Sequence, residues 1–235
     1  MKKFIVGLVI LGLVFSMLIS FGSIAFSQKK YNEAPMLADL VKQGKLPPVE
    51  QRLPEEPLVY KEGVEIPAGD VKLEIGKYGG TLRIVNPGTP GGGEGWGISR
   101  EPLLNQPGFG QPGKKPDGNV LKGFDMSKDA KTFTLYLRKG MKWSDGEPVT
   151  TEDVRFAYED VLLNKELTPT FPVWLANLDG TPFKLEIVDK YTFRVIFKES
   201  YGLFPYTLSL HWQTWDSGPL LQPSHYMKKF HIKYT

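Results

Sequence analysis

Residues 132–163, TFTLYLRKGMKWSDGEPVTTEDVRFAYEDVLL, carry the densest local code in the chain. From Thr132 to Arg138, apolar Phe133, Leu135 and Leu137 alternate with Thr132, Thr134, Tyr136 and Arg138. That period of two predicts a strand buried on one side. Met141 and Trp143 extend the apolar series beyond Gly140, which places Trp143 in the core. Ser144-Asp145-Gly146 supplies turn chemistry, with Gly146 free to take positive φ. Pro148 restricts the chain ahead of a helix start. There Thr150 fits the N-cap, and Asp153 fits the carboxylate that returns to it and faces the positive helix end. Val154, Ala157, Tyr158 and Val161 then recur at i, i+3, i+4 and i+7, one apolar helical face.

Downstream, Thr168-Pro169 ends the helix. Lys184 to Val188 and Tyr191 to Phe197 read as two strands joined at Asp189-Lys190, a hairpin by loop length. Leu203 to Trp215 is aromatic-rich and helical in part. Pro223-Ser224-His225 starts another helix, with Tyr226, Phe230 and Tyr234 four apart.

Upstream, Gly79-Gly80 leads into a short strand, Thr81 to Val85. The glycine-rich loop from Pro87 to Gly97 lacks the Lys-Ser/Thr pair of a phosphate cradle. The Gly-x-Gly-x-x-Gly at Gly108 to Gly113 follows no strand and opens no helix, so both glycine runs read as surface turns. Glu101-Pro102-Leu103-Leu104 is a compact apolar anchor, and Pro116 to Asn119 a turn.

Residues 28–78 read as an arm. Pro35 opens a short helix with Met36, Leu37, Leu40 and Val41 on one face, ended by Gly44. Pro47, Pro48, Pro54, Pro57 and Pro67 follow too closely for helix or central strand. Leu46, Val49, Leu53, Leu58 and Val59 favour an arm laid along a larger body.

Residues 1–27 have the parts of a secretory signal peptide: Lys2-Lys3, an apolar run from Phe4 to Phe15, and Ala25-Phe26-Ser27 before Gln28. An uncleaved anchor is the rival reading, since no charge interrupts Phe4 to Ser27. Loss of Lys2 and Lys3 lowers the formal net charge from +3 to +1, which removes the basic balance expected of a nucleic-acid binder. The absence of cysteine excludes disulfides, thiol chemistry and a lipid-modified cysteine anchor. With 41% hydrophobic residues among 235, an exported chain of this size can rely on an ordinary core.

Catalytic constellations are missing from the pattern. His211, His225 and His231 show no metal-ligand spacing, and no Gly-x-Ser-x-Gly elbow exists. Asp145 with Glu147, and Glu152 with Asp153, sit at a turn and a helix start, where acids cap and complement the dipole. The remaining signal is aromatic: Trp96, Trp174, Trp212 and Trp215 lie beside Gly, Pro, Asn and Gln. Such platforms suit sugar faces or peptide side chains. Asn86, Trp96, Trp212 and Trp215 are the candidate ligand contacts.

Residues 131–162 resemble the signature of extracellular solute-binding proteins of family 5, the oligopeptide, dipeptide and nickel type components of ATP-binding-cassette importers. Phe133, Leu137, Arg138, Gly140, Trp143, Ser144-Asp145-Gly146, Pro148, Thr150, Asp153-Val154 and Tyr158 fall in register. The likeness extends through Gly79 to Arg83, Glu101 to Leu104, Val188 to Phe193 and Pro223 to Tyr226. Leu121 to Asp125 departs from the family, which often has alanine and tryptophan there. The resemblance implies a mixed α/β fold of the periplasmic-binding-protein type II kind, with residues 79–235 as the incomplete first lobe of a two-lobed Venus-flytrap. It further implies capture of a peptide or oligosaccharide outside the membrane, delivery to permease subunits, and a monomer when full length. No enzymatic activity, cofactor or metal is expected. A stand-alone exported interaction module or chaperone-like fragment is the alternative.

Overall fold

The computed structural model describes residues 31–59, 74–81, 83, 101–105, 115–210 and 220–235. Its frame is a four-stranded antiparallel sheet in the order β3-β4-β6-β5. The strands are β3 (Leu121–Met126), β4 (Thr132–Leu137), β5 (Lys184–Asp189) and β6 (Thr192–Ile196). A separate pair, β1 (Leu104–Asn105) and β2 (Asp117–Gly118), lies before it in sequence. The α-helical pieces among the described residues are α1 (Ala38–Lys42), α2 (Val49–Arg52), α3 (Thr151–Arg155), α4 (Phe204–Thr207) and α5 (Ser224–Met227). The mixed α/β class read from the sequence is the one observed.

β4 alternates as its sequence dictates, with Phe133, Leu135 and Leu137 buried and the intervening residues half exposed. Its partner β6 does the same, aligning Leu135 with Phe193 and Phe133 with Val195. Against this face pack Leu104, Leu121, Val154, Phe183, Phe204 and Leu220. Each such fully buried side chain contributes about 1.5–3 kcal/mol relative to exposure. Phe204 lies 5.0 Å from both Phe133 and Phe197, and Tyr158 stacks on Phe183 at 4.5 Å. The opposite face is polar, as antiparallel sheets allow. On it Tyr136 donates to Asp125 at 2.6 Å and Arg194 pairs with Glu186 at 2.8 Å.

Four elements differ from the sequence reading. β3 was not foreseen, because Lys122 and Gly123 break the alternation; a register irregularity lies between Leu121 and Gly123. Asp117-Gly118, read as a turn, is a strand, and α2 fits between Pro48 and Pro54. Of the strand read at 81–85, residues 82, 84 and 85 lie outside the described residues, and Thr81 and Arg83 belong to no strand.

The 132–163 stretch itself holds a surprise. Thr150 and Asp153 form the capping box, and the Thr151 N–H and hydroxyl bond the Lys190 and Asp189 carbonyls. That ties the helix start to the β5–β6 turn. After Arg155, however, the helix widens into a π-helix from Phe156 to Leu162, so the Leu163 N–H reaches the Tyr158 carbonyl. The extra residue per turn rotates the face. Val154, Ala157 and Tyr158 are buried as expected, but Leu162 takes the inward place and Val161 is only half buried. Trp143, read as core, is half buried, and its indole N–H donates to Asp153 at 3.2 Å.

Among the described residues of the arm, those from Gln51 to Glu56 lie along this body. The Glu55 N–H bonds the Lys139 carbonyl at 3.0 Å, and Lys142 reaches the Gln51 carbonyl at 2.8 Å. Buried Arg138 donates to the carbonyls of Asn119 and Glu56, at 2.6 and 3.0 Å. Met36 and Leu40 remain exposed, so the predicted apolar face of the first helix is not buried.

Candidate functional site

Asn86, Trp96, Trp212 and Trp215, the residues the sequence singles out, all lie outside the described residues. Trp174 is described: it packs half buried against the core, and its carbonyl accepts from the Tyr201 hydroxyl at 3.1 Å. Phe171 and Tyr201 border a groove of about 470 Å³ between the 170–180 loop and the exit of β6.

The loop's shape follows from one buried amide. Asn177 donates to the carbonyls of Thr181 and Pro182, at 3.0 and 2.8 Å, and accepts the Lys198 N–H at 2.8 Å. An Ala176–Pro182 bridge and Gly180 at φ 78° close the turn. Asp179 accepts from Thr181 and from Lys198 Nζ, the latter at 2.7 Å. The Lys198 hydrogen bond, followed by those from Thr181, holds its carboxyl well below the usual carboxylate range. The loop is therefore a braced rim.

Aromatic walls and a single acid define the groove. Phe197 is buried and meets Tyr201 edge-on at 5.1 Å, while Val173 and Leu178 stand 83% and 89% exposed at the rim. Glu199 lines the same space, and its Oε2 is buried with no hydrogen-bond partner. An apolar concavity with few polar groups suits small-molecule capture. Sequence reasoning missed Glu199, because an acid just past a strand reads as solvent-facing.

One acid of each sequence pair, Asp145 and Asp153, is taken up in structural contacts, as is Asp160. Asp153 Oδ1 accepts the Ser224 N–H and hydroxyl at 2.9 and 2.7 Å, while its Oδ2 serves Thr150 and Trp143. Asp145 meets His225 Nε2 at 2.6 Å. Asp160 accepts from Lys233 and Tyr234, both at 2.7 Å, and its carbonyl bonds His231 Nε2 at 2.8 Å. These contacts fasten residues 224–234 to the central helix and to the turn that precedes it. Among the described residues no cluster of three or more His, Asp or Glu is arranged to hold a metal.

Tyr158 donates to the Phe183 carbonyl, and burial pushes its phenol up to about 12. It stays protonated and structural. A second groove, about 670 Å³, lies where the arm meets the sheet beside Lys122, Tyr136, Lys139 and Tyr191. It is bridged by the Lys122–Glu56 pair at 3.0 Å.

Residues 115–230, which hold the sheet and the central helix, match the bacterial extracellular solute-binding proteins, family 5 Middle. Over these residues the chain belongs to bacterial extracellular solute-binding protein family 5. This family-5 chain is 34% identical over 227 aligned positions to the periplasmic alpha-galactoside-binding protein of Rhizobium meliloti, covering 88% of itself and 30% of that protein. The periplasmic oligopeptide-binding protein OppA of Escherichia coli is 30% identical over 132 positions, covering 51% of this chain and 23% of its own. Among solved structures, the periplasmic binding protein MelB of Agrobacterium fabrum C58, in complex with stachyose, superposes with a TM-score of 0.66 at 31% identity. That superposition covers 88% of the family-5 chain and 32% of MelB. An oligopeptide-binding protein OppA gives 0.65 at 36% identity, covering 88% and 29%. The family-5 chain thus spans about 30% of the length of the relatives it matches most fully.

Proposed function

We propose that the chain is the first part of a substrate-binding component of an ATP-binding-cassette importer, which captures an oligosaccharide or oligopeptide outside the membrane and hands it to a permease. The observation that carries this reading is the likeness over 88% of the chain to an alpha-galactoside-binding protein and, by structure, to MelB with stachyose. In this reading residues 1–27 direct export, 28–78 form the bracing arm, and 79–235 supply one wall of a closing cleft. Asn86, Trp96, Trp212 and Trp215 contact the solute. No helix among the described residues is long and apolar enough to cross a membrane. Exposed Val173, Leu178 and Leu203 favour a lobe that meets further protein over a self-sufficient module.

Closure requires that solute bind the closed state better than the open one, which needs both walls. The 235-residue chain is therefore expected to bind stachyose or oligopeptide pools weakly at best. Titration calorimetry checks this, and micromolar binding would overturn the half-cleft reading. Uptake of labelled stachyose and labelled oligopeptides by cells with and without the gene tests the transport role. Unchanged uptake of both would sink it.

A further inference from the structure

The groove beside Glu199 has a charge that the fold does not answer. Glu199 Oε2 is buried without a hydrogen-bond partner, although its residue is next to a lysine in sequence. That lysine is committed elsewhere: Lys198 Nζ reaches Asp179 Oδ2 at 2.7 Å. A second lysine, Lys131, donates to the Lys198 carbonyl at 2.7 Å. Among the described residues lining the groove, Glu199 is the charged one. A buried carboxylate oxygen without a donor loses the free energy of a missing hydrogen bond, and its charge adds to that cost.

The walls narrow the class of molecule that can supply the missing donor. Phe171, Phe197 and Tyr201 present ring surface, and Val173, Ala176 and Leu178 present aliphatic surface. The rings are fixed: Phe197 is held edge-on by Tyr201 at 5.1 Å, and Phe171 by Phe183 at 6.2 Å. Asn177 is fully engaged in bracing the loop, so its amide is not offered to a ligand. A neutral hydroxyl would fill the hydrogen bond and leave the charge unanswered. An ammonium answers both, and ring faces attract cations.

We propose that this groove binds an organic ammonium group carried on an apolar stem, with Glu199 as its anionic partner and Phe171 and Tyr201 as its walls. The proposal uses none of the sequence-derived solute contacts and does not depend on which solute the importer carries. Within a longer protein, the same chemistry fits the free amino group of a bound molecule with an apolar side chain.

The test uses the full chain with methyl-labelled valine and leucine, titrated with phenethylammonium chloride and, separately, with neutral 2-phenylethanol. The ammonium is expected to shift the Val173 and Leu178 methyl resonances. Glu199→Gln, which keeps the shape and removes the charge, should weaken it about tenfold, the loss typical of one charge-assisted hydrogen bond. The alcohol should bind wild type and variant alike, and more weakly than the ammonium binds wild type. Equal binding of the ammonium to both proteins, or shifts gathered away from the groove, overturns the proposal. So does an alcohol as tight as the ammonium on wild type, a comparison that needs no variant.

Discussion

Asp153 shows how far one side chain can be read and where reading stops. Its place three residues after Thr150 marks it as a capping acid, and the capping box is present. Its second oxygen, however, takes two hydrogen bonds from Ser224, seventy-one residues away. No local pattern encodes that partner, because it exists only once the tail is folded back. Asp153→Ala strips acceptors from several buried donors and is expected to lower stability by about 3 kcal/mol, measured by urea unfolding. A mere cap would cost about 1 kcal/mol. Asp160 gives the pH counterpart. Burial pushes its carboxyl up, but hydrogen bonds from Lys233 and Tyr234 pull it below the ordinary value. Asp145 beside His225 is held low as well. A carboxylate with a depressed folded pKa takes its proton more readily when unfolded. The stability it adds is complete above the unfolded value, about 3.9, and is lost as pH falls below it towards the folded value. Urea midpoints should therefore drop below about pH 4, and Asp160→Asn should flatten that drop. An unchanged acid limb in the variant would contradict the assignment.

At the level of elements, β4, β6 and the central helix start were legible because their burial period is written in adjacent residues. β3 was not, since it is an edge strand whose place is set by pairing with β4. The π-helix was equally hidden: the spacing of Val154, Ala157, Tyr158 and Val161 fits an α-helix, and only packing selects the wider turn. The candidate groove escaped for the same reason, since Phe171, Phe197 and Glu199 meet only across the folded loop. Gly118 illustrates the tightest of these tertiary constraints. A Cβ there would lie 2.2 Å from the Lys122 carbonyl oxygen, a backbone atom that cannot swing away. Gly118→Ala is expected to displace β2 from the start of β3 at a cost of about 2 kcal/mol. Hydrogen exchange should show the loss at Leu104 and Leu121, whereas uniform protection would show that the strands absorb the methyl.

Across the whole molecule, the two described ends converge on one segment. The arm is bound through Arg138, Lys139 and Lys142, and the tail through Asp145, Asp153 and Asp160. Of the scattered apolar residues from which the sequence indicated the arm's packing, Val49 is buried while Leu53, Leu58 and Val59 are exposed, so polar contacts hold the described part of the arm. It gave no sign that the tail would use carboxylates rather than apolar burial. Such fastening is directional and depends on a short list of partners. Hence the tail resembles a peptide already docked on a receptor that happens to share its chain. A protein ending at residue 219 should lose stability, and a synthetic peptide of residues 220–235 added in trans should restore it, as read by the thermal midpoint. A peptide with Ser224→Ala and Lys233→Ala should rescue far less. If both peptides work equally, the polar contacts are incidental and Leu220 alone anchors the tail. Fragment complementation of this kind would make the union of the two pieces an assembly reaction, with an affinity that can be titrated instead of a fold that is simply present or absent.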